Sequence, residues 1–312
     1  MSYYFDKKRA GSVCAVGVEK NDPDAIIYLH KGTNKNKKKY NFNYVDYEKE
    51  IKKSGVKRRE KQYILSKLED VFFENMNESD IEDGNEGFKN LYKHVKENEE
   101  KKSKFIADSK IIPMIRDDWF NVVFINGPSG AGKSKIAVNM VQQYLKHNKK
   151  IDVFLVSKKS SDKTIDQIKR IKKLDVETFL DDPITIDEFP DKSVIIFDDF
   201  EQFETTNKKL YVAIMGLLKD LVTLGRTKLL QVFIITHSSA IGRGSTLLYS
   251  EAQWLVLYPL ANSYHSLKLV LQDKVGLDMS QIKYIKNLKS KYVVIHKSFP
   301  RFLISGDTIE FI

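Results

Sequence analysis

With 312 residues, 42% of them hydrophobic, the chain has a globular composition and enough material for one large domain or two smaller ones. Its single cysteine, Cys14, excludes an internal disulfide framework and fits a reducing compartment. No apolar run approaches the ~20 residues of a membrane span, and a net charge of +10 favours an acidic partner such as nucleic acid.

The start, MSYYFDKKRAG, lacks the apolar core of a secretory signal, so the protein is expected to be made and kept inside a cell, without membrane insertion. From Lys31 to Lys61 twelve Lys/Arg stand against four acids. The stretch KGTNKNKKKYNFNY has little to bury and reads as a flexible basic loop. Its Tyr40, Phe42 and Tyr44 suit stacking on bases while the lysines, with Arg58 and Arg59, meet phosphates; a solvated loop whose aromatics pack on the domain is the other reading. Ile64, Leu65, Leu68, Val71 and Phe72 then recur at helical spacing, followed by the acidic linker NESDIEDGNEG and a polar helix, FKNLYKHVKENEEKKSK. Residues 1–118 therefore form a basic, partly helical accessory region.

From residue 121 the pattern alternates. Buried-strand runs are VVFI (122–125), VFLV (153–156), VIIF (194–197), VFII (232–235) and WLVLY (254–258). Helical patterns lie between them, including Ile136, Met140, Val141 and Tyr144, and later Leu210, Ile214, Leu217, Leu221 and Leu224. Strands alternating with helices predict an α/β domain over 119–312, a mostly parallel sheet covered on both faces. The tail predicts one more strand and a hairpin turning at Gly306-Asp307.

Between the first strand and the first helix lies GPSGAGKS, which matches G-x-x-x-x-G-K-[ST] in the context its chemistry needs. Glycines let such a loop turn its backbone N–H groups inward as an anion nest, and the following helix adds its N-terminal dipole. The pattern predicts a P-loop NTPase that binds ATP through Gly127, Pro128, Ser129, Gly130, Ala131, Gly132, Lys133, Ser134 and Lys135. Lys133 is expected to reach the terminal phosphates and Ser134 to offer its hydroxyl to Mg2+.

The strand VIIF ends in Asp198-Asp199. An acid at the end of a buried strand is costly unless it meets a cation. Asp198 is expected to hold the metal and Asp199 to activate the attacking water, with Glu201 as the other candidate base. The strand in FIITHSS ends at Thr236 and His237, either of which is placed to touch the terminal phosphate or the water. The chain has eight arginines, at 9, 58, 59, 116, 170, 226, 243 and 301, so each in the later half raises a question. Arg226 lies a strand's length from the phosphate end of its own chain. It therefore reads either as a finger serving a neighbouring subunit or as a helix C-terminal charge paired with Asp220. Arg243, between glycines in IGRGS, is the second candidate finger.

GPSGAGKS, VIIFDDF and LLKDLVTLGRTKLLQVFIITHSS together resemble the genome-packaging ATPases of large DNA viruses, the poxvirus-type branch of the FtsK–HerA superfamily, over roughly residues 120–260. The resemblance implies an ASCE-type sheet, a homo-oligomeric ring and ATP-driven movement of double-stranded DNA. It also implies a capsid or portal partner and a place in the cytoplasm or viral factory. It assigns Lys133 and Ser134 to phosphate and Mg2+, Asp198-Asp199 to the acidic pair and Arg226 to the family's Gly-Arg position. The chain departs from superfamily members that carry Asp-Glu at the acidic pair and glutamine where Thr236-His237 stand. Two other functions compete with the motor: a phage-type morphogenesis or export ATPase of the zonular-occludens-toxin kind, and a nucleotide-binding scaffold or switch with little hydrolysis.

Overall fold

The computed structural model describes residues 3–6, 12–18, 25–31, 104–106, 110–116, 118–237 and 243–312. The basic tract at Lys35–Lys39 with Arg58 and Arg59, the helical spacing at Ile64–Phe72, the acidic linker and the polar helix all lie outside the described residues. Contacts divide the chain into two units, residues 1–12 with 29–105 and residues 13–28 with 106–312. The segment 13–28, in the part of the chain read as accessory, thus belongs to the larger unit.

In chain order the described strands begin with β1 (Tyr3–Asp6), β2 (Ser12–Val18), β3 (Ala25–Lys31), β4 (Lys104–Ile106) and β5 (Lys110–Pro113). Next come β6 (Asn121–Asn126), α1 (Lys133–His147), β7 (Val153–Ser157), β8 (Ile171–Lys173) and β9 (Val194–Asp198). The short helix α2 (Phe203–Thr206) leads into α3 (Lys208–Leu224), β10 (Gln231–Thr236), α4 (Arg243–Glu251) and β11 (Trp254–Leu257). The chain finishes with α5 (Tyr264–Leu269), α6 (Met279–Asn287), β12 (Val293–His296), β13 (Phe302–Ser305) and β14 (Thr308–Phe311).

Within the larger unit a nine-strand sheet, among the described residues, has the order β14-β13-β12-β11-β6-β10-β9-β7-β8. The six strands from β11 to β8 run parallel, and β12, β13 and β14 extend them antiparallel. The mostly parallel α/β fold read from the alternation is the fold observed. Each of the five apolar runs forms a strand, and the terminal hairpin turns through Gly306 at φ 62°.

The strand residues are buried on both faces, which is why they read as continuous apolar runs instead of an alternation. Val122, Phe124, Ile195, Phe197, Val232 and Ile234 share a core with Leu210, Ile214, Leu217, Leu218 and Leu221 of α3 and with Ile282 and Ile285 of α6. The opposite face is covered by α1, which buries Ile136, Ala137, Met140, Val141 and Tyr144. Each fully buried side chain of this size contributes roughly 1.5–3 kcal/mol, so the two helices lock the sheet from both sides. A smaller sheet pairs β2 with β5 antiparallel, and Ile111 donates to the Gly306 carbonyl at 2.8 Å. Cys14 donates its thiol to the Ile27 carbonyl at 3.3 Å, and burial pushes its pKa far up, so it behaves as a core residue.

Candidate nucleotide site

The parallel strands bring their carboxyl ends to one edge of the sheet, and every site residue proposed there ends or follows β6, β9 or β10. The adjacent pair β6/β10 is tied at its end by Asn126, whose Nδ2 donates to Thr236 Oγ1 at 2.9 Å. The Gly127 N–H points to the Thr236 carbonyl at 3.4 Å. Thr236 is therefore buried in the seam beneath the loop, while His237 stands in the cavity in front of it.

The loop needs its glycines for two reasons. Gly130 and Gly132 have φ of 73° and 101°, where an L side chain is disfavoured. Gly127 lies flush on the Tyr258 ring: a Cβ there would meet Cδ2 at 2.6 Å. Helix α1 then starts at Lys133 with no side-chain cap and no acid in its first turn. Its leading N–H groups and positive dipole end are thus open to an anion. Ser134 is half-buried at this start, while Ser129 and Lys135 are exposed.

Lys133 is buried, and its Nζ donates to the carbonyls of Gly127 at 2.9 Å and Pro128 at 3.0 Å. It also lies 3.1 Å from His237 Nδ1. Burial pulls its pKa below the usual lysine value, against the opposing charges of Asp199, Asp198 and Glu201. His237 links this lysine to the acidic strand, because its Nε2 lies 2.5 Å from Asp199 Oδ1.

The two aspartates differ. Asp198 closes β9 in register with Ser157 of β7, and is 2% exposed. Burial, then the charge of Asp199, pushes its pKa up to about 6. Its Oδ2 is buried without a hydrogen-bond partner among the described residues. A desolvated carboxylate oxygen facing no donor is suited to a cation. No cluster of three or more His, Cys, Asp or Glu that could cage a metal occurs among the described residues. Mg2+ uses one or two carboxylates with substrate phosphates, and Asp198 offers one such carboxylate.

Asp199 has left-handed backbone, φ 54°, a region that Asp tolerates better than most residues. Burial would raise its pKa, but the hydrogen bond from Lys159 and the charges of His237 and Lys159 outweigh it and hold the carboxyl below the usual range. Lys159 pairs with its Oδ2. Glu201, in the turn that follows, accepts the His237 backbone N–H at 3.1 Å. Ser129, Lys159, Asp199, Glu201, Gln202 and His237 line one cavity of about 440 Å³. It stands between the tip of the phosphate loop and the acidic turn.

Arg226 is elsewhere. It lies exposed in the turn Gly225–Lys228, before β10 starts, with its Cζ 5.8 Å from the centre of the Trp119 ring. A strand's length, about 17 Å at 3.3 Å per residue, separates that edge from the phosphate edge. Among the described residues it forms no ion pair with Asp220. Arg243 opens α4, beyond residues 238–242, which are not described.

Two cations escaped the sequence reading. Lys159 follows β7, and the sheet order β9-β7 sets it beside the acidic turn. A polar residue just past a parallel strand was the available signal. Lys291 precedes β12, and its Nζ lies 3.5 Å from where a Gly132 Cβ would be. Nothing local in the sequence announces that approach, which the antiparallel extension of the sheet creates.

No family model matches the chain. Uncharacterized protein V3 of Sputnik virophage is 23% identical over 217 residues, covering 69% of this chain and 86% of its own length. Among solved structures, the chain is similar to the pCW3 conjugation coupling protein TcpA, a monomer form with ATPγS. The TM-score is 0.46, the identity 13%, and 66% of each chain is covered. It is also similar to the genome packaging NTPase B204 of Sulfolobus turreted icosahedral virus 2 in complex with AMPPCP. Here the TM-score is 0.43 at 13% identity, over 63% of this chain and 100% of that one. No helix among the described residues is long and apolar enough to cross a membrane.

Proposed function

We propose that the protein is an ATPase whose hydrolysis drives the translocation of double-stranded DNA, packaging a viral genome into a capsid. One observation carries the ATPase reading: Lys133 of the phosphate loop, His237 and Asp199 form a continuous polar chain across the ends of adjacent parallel strands, beside the unpartnered oxygen of Asp198.

In this reading the loop N–H groups and the N-terminus of α1 bind the phosphates. Lys133 exchanges its carbonyl partners for the terminal phosphates, where its charge offsets the charge that develops during transfer. The Ser134 hydroxyl and Asp198 would hold Mg2+, which would supply neutralisation of the phosphate oxygens. Asp199 accepts a proton from the attacking water as the water oxygen bonds to the γ-phosphorus and the bond from that phosphorus to the ADP oxygen breaks. His237 holds Asp199 from one side and is itself held through its backbone by Glu201. Thr236 acts as a positioning residue, fixing the loop's origin through Asn126.

The DNA part of the reading is supported by the net charge of +10, by the lysine-rich tract at Lys35–Lys39 with Arg58 and Arg59, and by the motif set FDDF, LGR and TH. Similarity to a virophage protein supports a viral setting; a viral genome as cargo, a capsid or portal partner and a place in the cytoplasm or a viral factory are parts of the same proposal. A ring of identical subunits gives Arg226 a role that its own chain denies it, as a finger directed at a neighbour's nucleotide.

The test is the ATPase rate of the purified chain with and without double-stranded DNA, alongside its mass by light scattering. A DNA-stimulated rate in an oligomer, lost in Lys133→Ala, is the expected result. ATP turnover that is present but indifferent to DNA would leave an ATPase and remove the motor.

A further inference from the structure

Lys159 sits where a phosphate-binding cation would be useful, yet it is spent on the residue assigned as base. Its backbone is fixed, because its N–H donates to Ser157 Oγ at 3.2 Å at the end of β7. Its side chain is 45% exposed, pairs with Asp199 Oδ2 and stands 3.8 Å from Asp162 Oδ2. The ammonium is therefore held by charge and not by packing, and can change partner without disturbing the fold. Lys159 pairs with one oxygen of the Asp199 carboxylate, and His237 Nε2 lies 2.5 Å from the other, an approach that is not a formed hydrogen bond. In that state each of its oxygens already faces a cation or a ring nitrogen, which makes the group a poorer proton acceptor for water.

We infer that Lys159 is a latch responsive to the terminal phosphate of a nucleoside triphosphate: it covers Asp199 in the empty site and moves to the γ-phosphate when the triphosphate binds, leaving Asp199 Oδ2 to face the attacking water. The inference rests on the ATPase reading above. The exchange is favoured because a terminal phosphate brings more negative charge than one carboxylate into the same cavity, where screening is weaker than in bulk water. Lys159 and Ser129 line that one cavity, so the ammonium and the tip of the phosphate loop face the same space. ADP lacks the terminal phosphoryl group and so offers Lys159 no stronger partner than Asp199. The base is then uncovered only when there is a bond to cleave.

The test measures affinity for AMPPCP and for ADP, each with Mg2+, by calorimetric titration of wild type, Lys159→Gln, Lys159→Met and Lys159→Arg. A lost charge-assisted hydrogen bond corresponds to about 10- to 100-fold in affinity. The Gln and Met variants are therefore expected to lose that much AMPPCP affinity while ADP affinity stays at the wild-type value. Lys159→Arg, which keeps the charge, is expected to restore most of the preference. A structural counterion would lower the melting temperature but leave the AMPPCP-to-ADP ratio unchanged, and that result overturns the latch. Either neutral variant suffices if the other fails to fold. Wild-type protein that binds neither nucleotide would instead sink the ATPase reading, so the two failures are told apart.

Discussion

Replacing Gly127 with alanine tests whether Tyr258, just past β11, braces the phosphate loop. The added methyl carbon would lie 2.6 Å from Tyr258 Cδ2, 3.2 Å from Cγ and 3.3 Å from Cε2. Carbon atoms in contact sit at about 3.5–4.0 Å, so the overlap at Cδ2 is about 1 Å. The ring has nowhere to retreat: Tyr258 is 1% exposed, with the Tyr292 ring 6.3 Å away between centroids. Overpacking of this kind costs about 1–3 kcal/mol. In a unit of this size that is roughly 2–12 °C of melting temperature. The loop is the softer partner, so the strain is expected to displace it and weaken ATP binding by about 10-fold or more, the equivalent of 1.4 kcal/mol. Scanning calorimetry reads the first effect and titration with a fluorescent ATP analogue the second. The double variant Gly127→Ala with Tyr258→Ala removes every overlapping ring atom. It should regain nucleotide affinity even though the cavity lowers its melting temperature. A single variant that melts and binds like wild type would refute the bracing.

Asp199→Asn keeps the shape and tolerates the left-handed backbone at φ 54°, so ATP binding should persist while hydrolysis falls about 10²- to 10⁴-fold. Normal turnover there, with loss in Glu201→Gln, would move the base to Glu201. Arg226→Ala assemblies should be inactive, yet recover part of their activity when mixed with Lys133→Ala subunits, since wild-type arginine then meets an intact site; full activity in pure Arg226→Ala places the finger elsewhere. Thermal melts at pH 7.5 and 5 should show a stability loss that depends on His296, packed between the Trp254 and Phe302 rings at 4.6 and 4.7 Å between centroids. Burial pushes its pKa down to about 4, whereas an unfolded histidine titrates near 6.5. The unfolded chain thus binds the extra proton first. Stability present above about pH 6.5 is lost as pH falls towards 4, by up to about 3 kcal/mol. His296→Phe should lose that part of the pH dependence, and equal slopes for the two proteins would count against it.

The parallel core was legible residue by residue. Strands buried on both faces must be apolar at every position, so VVFI, VIIF and VFII announce themselves without knowledge of their neighbours. The phosphate loop was legible for a related reason: anion binding by backbone needs glycines, a lysine and a helix start in unbroken sequence, a purely local demand. What sequence could not give is anything that depends on which strands lie side by side. The order β6-β10-β9-β7 places His237 between Lys133 and Asp199, and sets Lys159, forty residues before Asp199 in the chain, on its carboxylate. The aspartate at 199 stands in left-handed backbone, which a short polar side chain tolerates better than most. The same order separates Thr236 from His237: one is drawn into the seam by Asn126, and the next residue, just past the strand, lines the cavity. Periodicity assigns residues to elements, but only the packing of those elements puts distant charges within reach of one another, and the chemistry of this site rests on those distances.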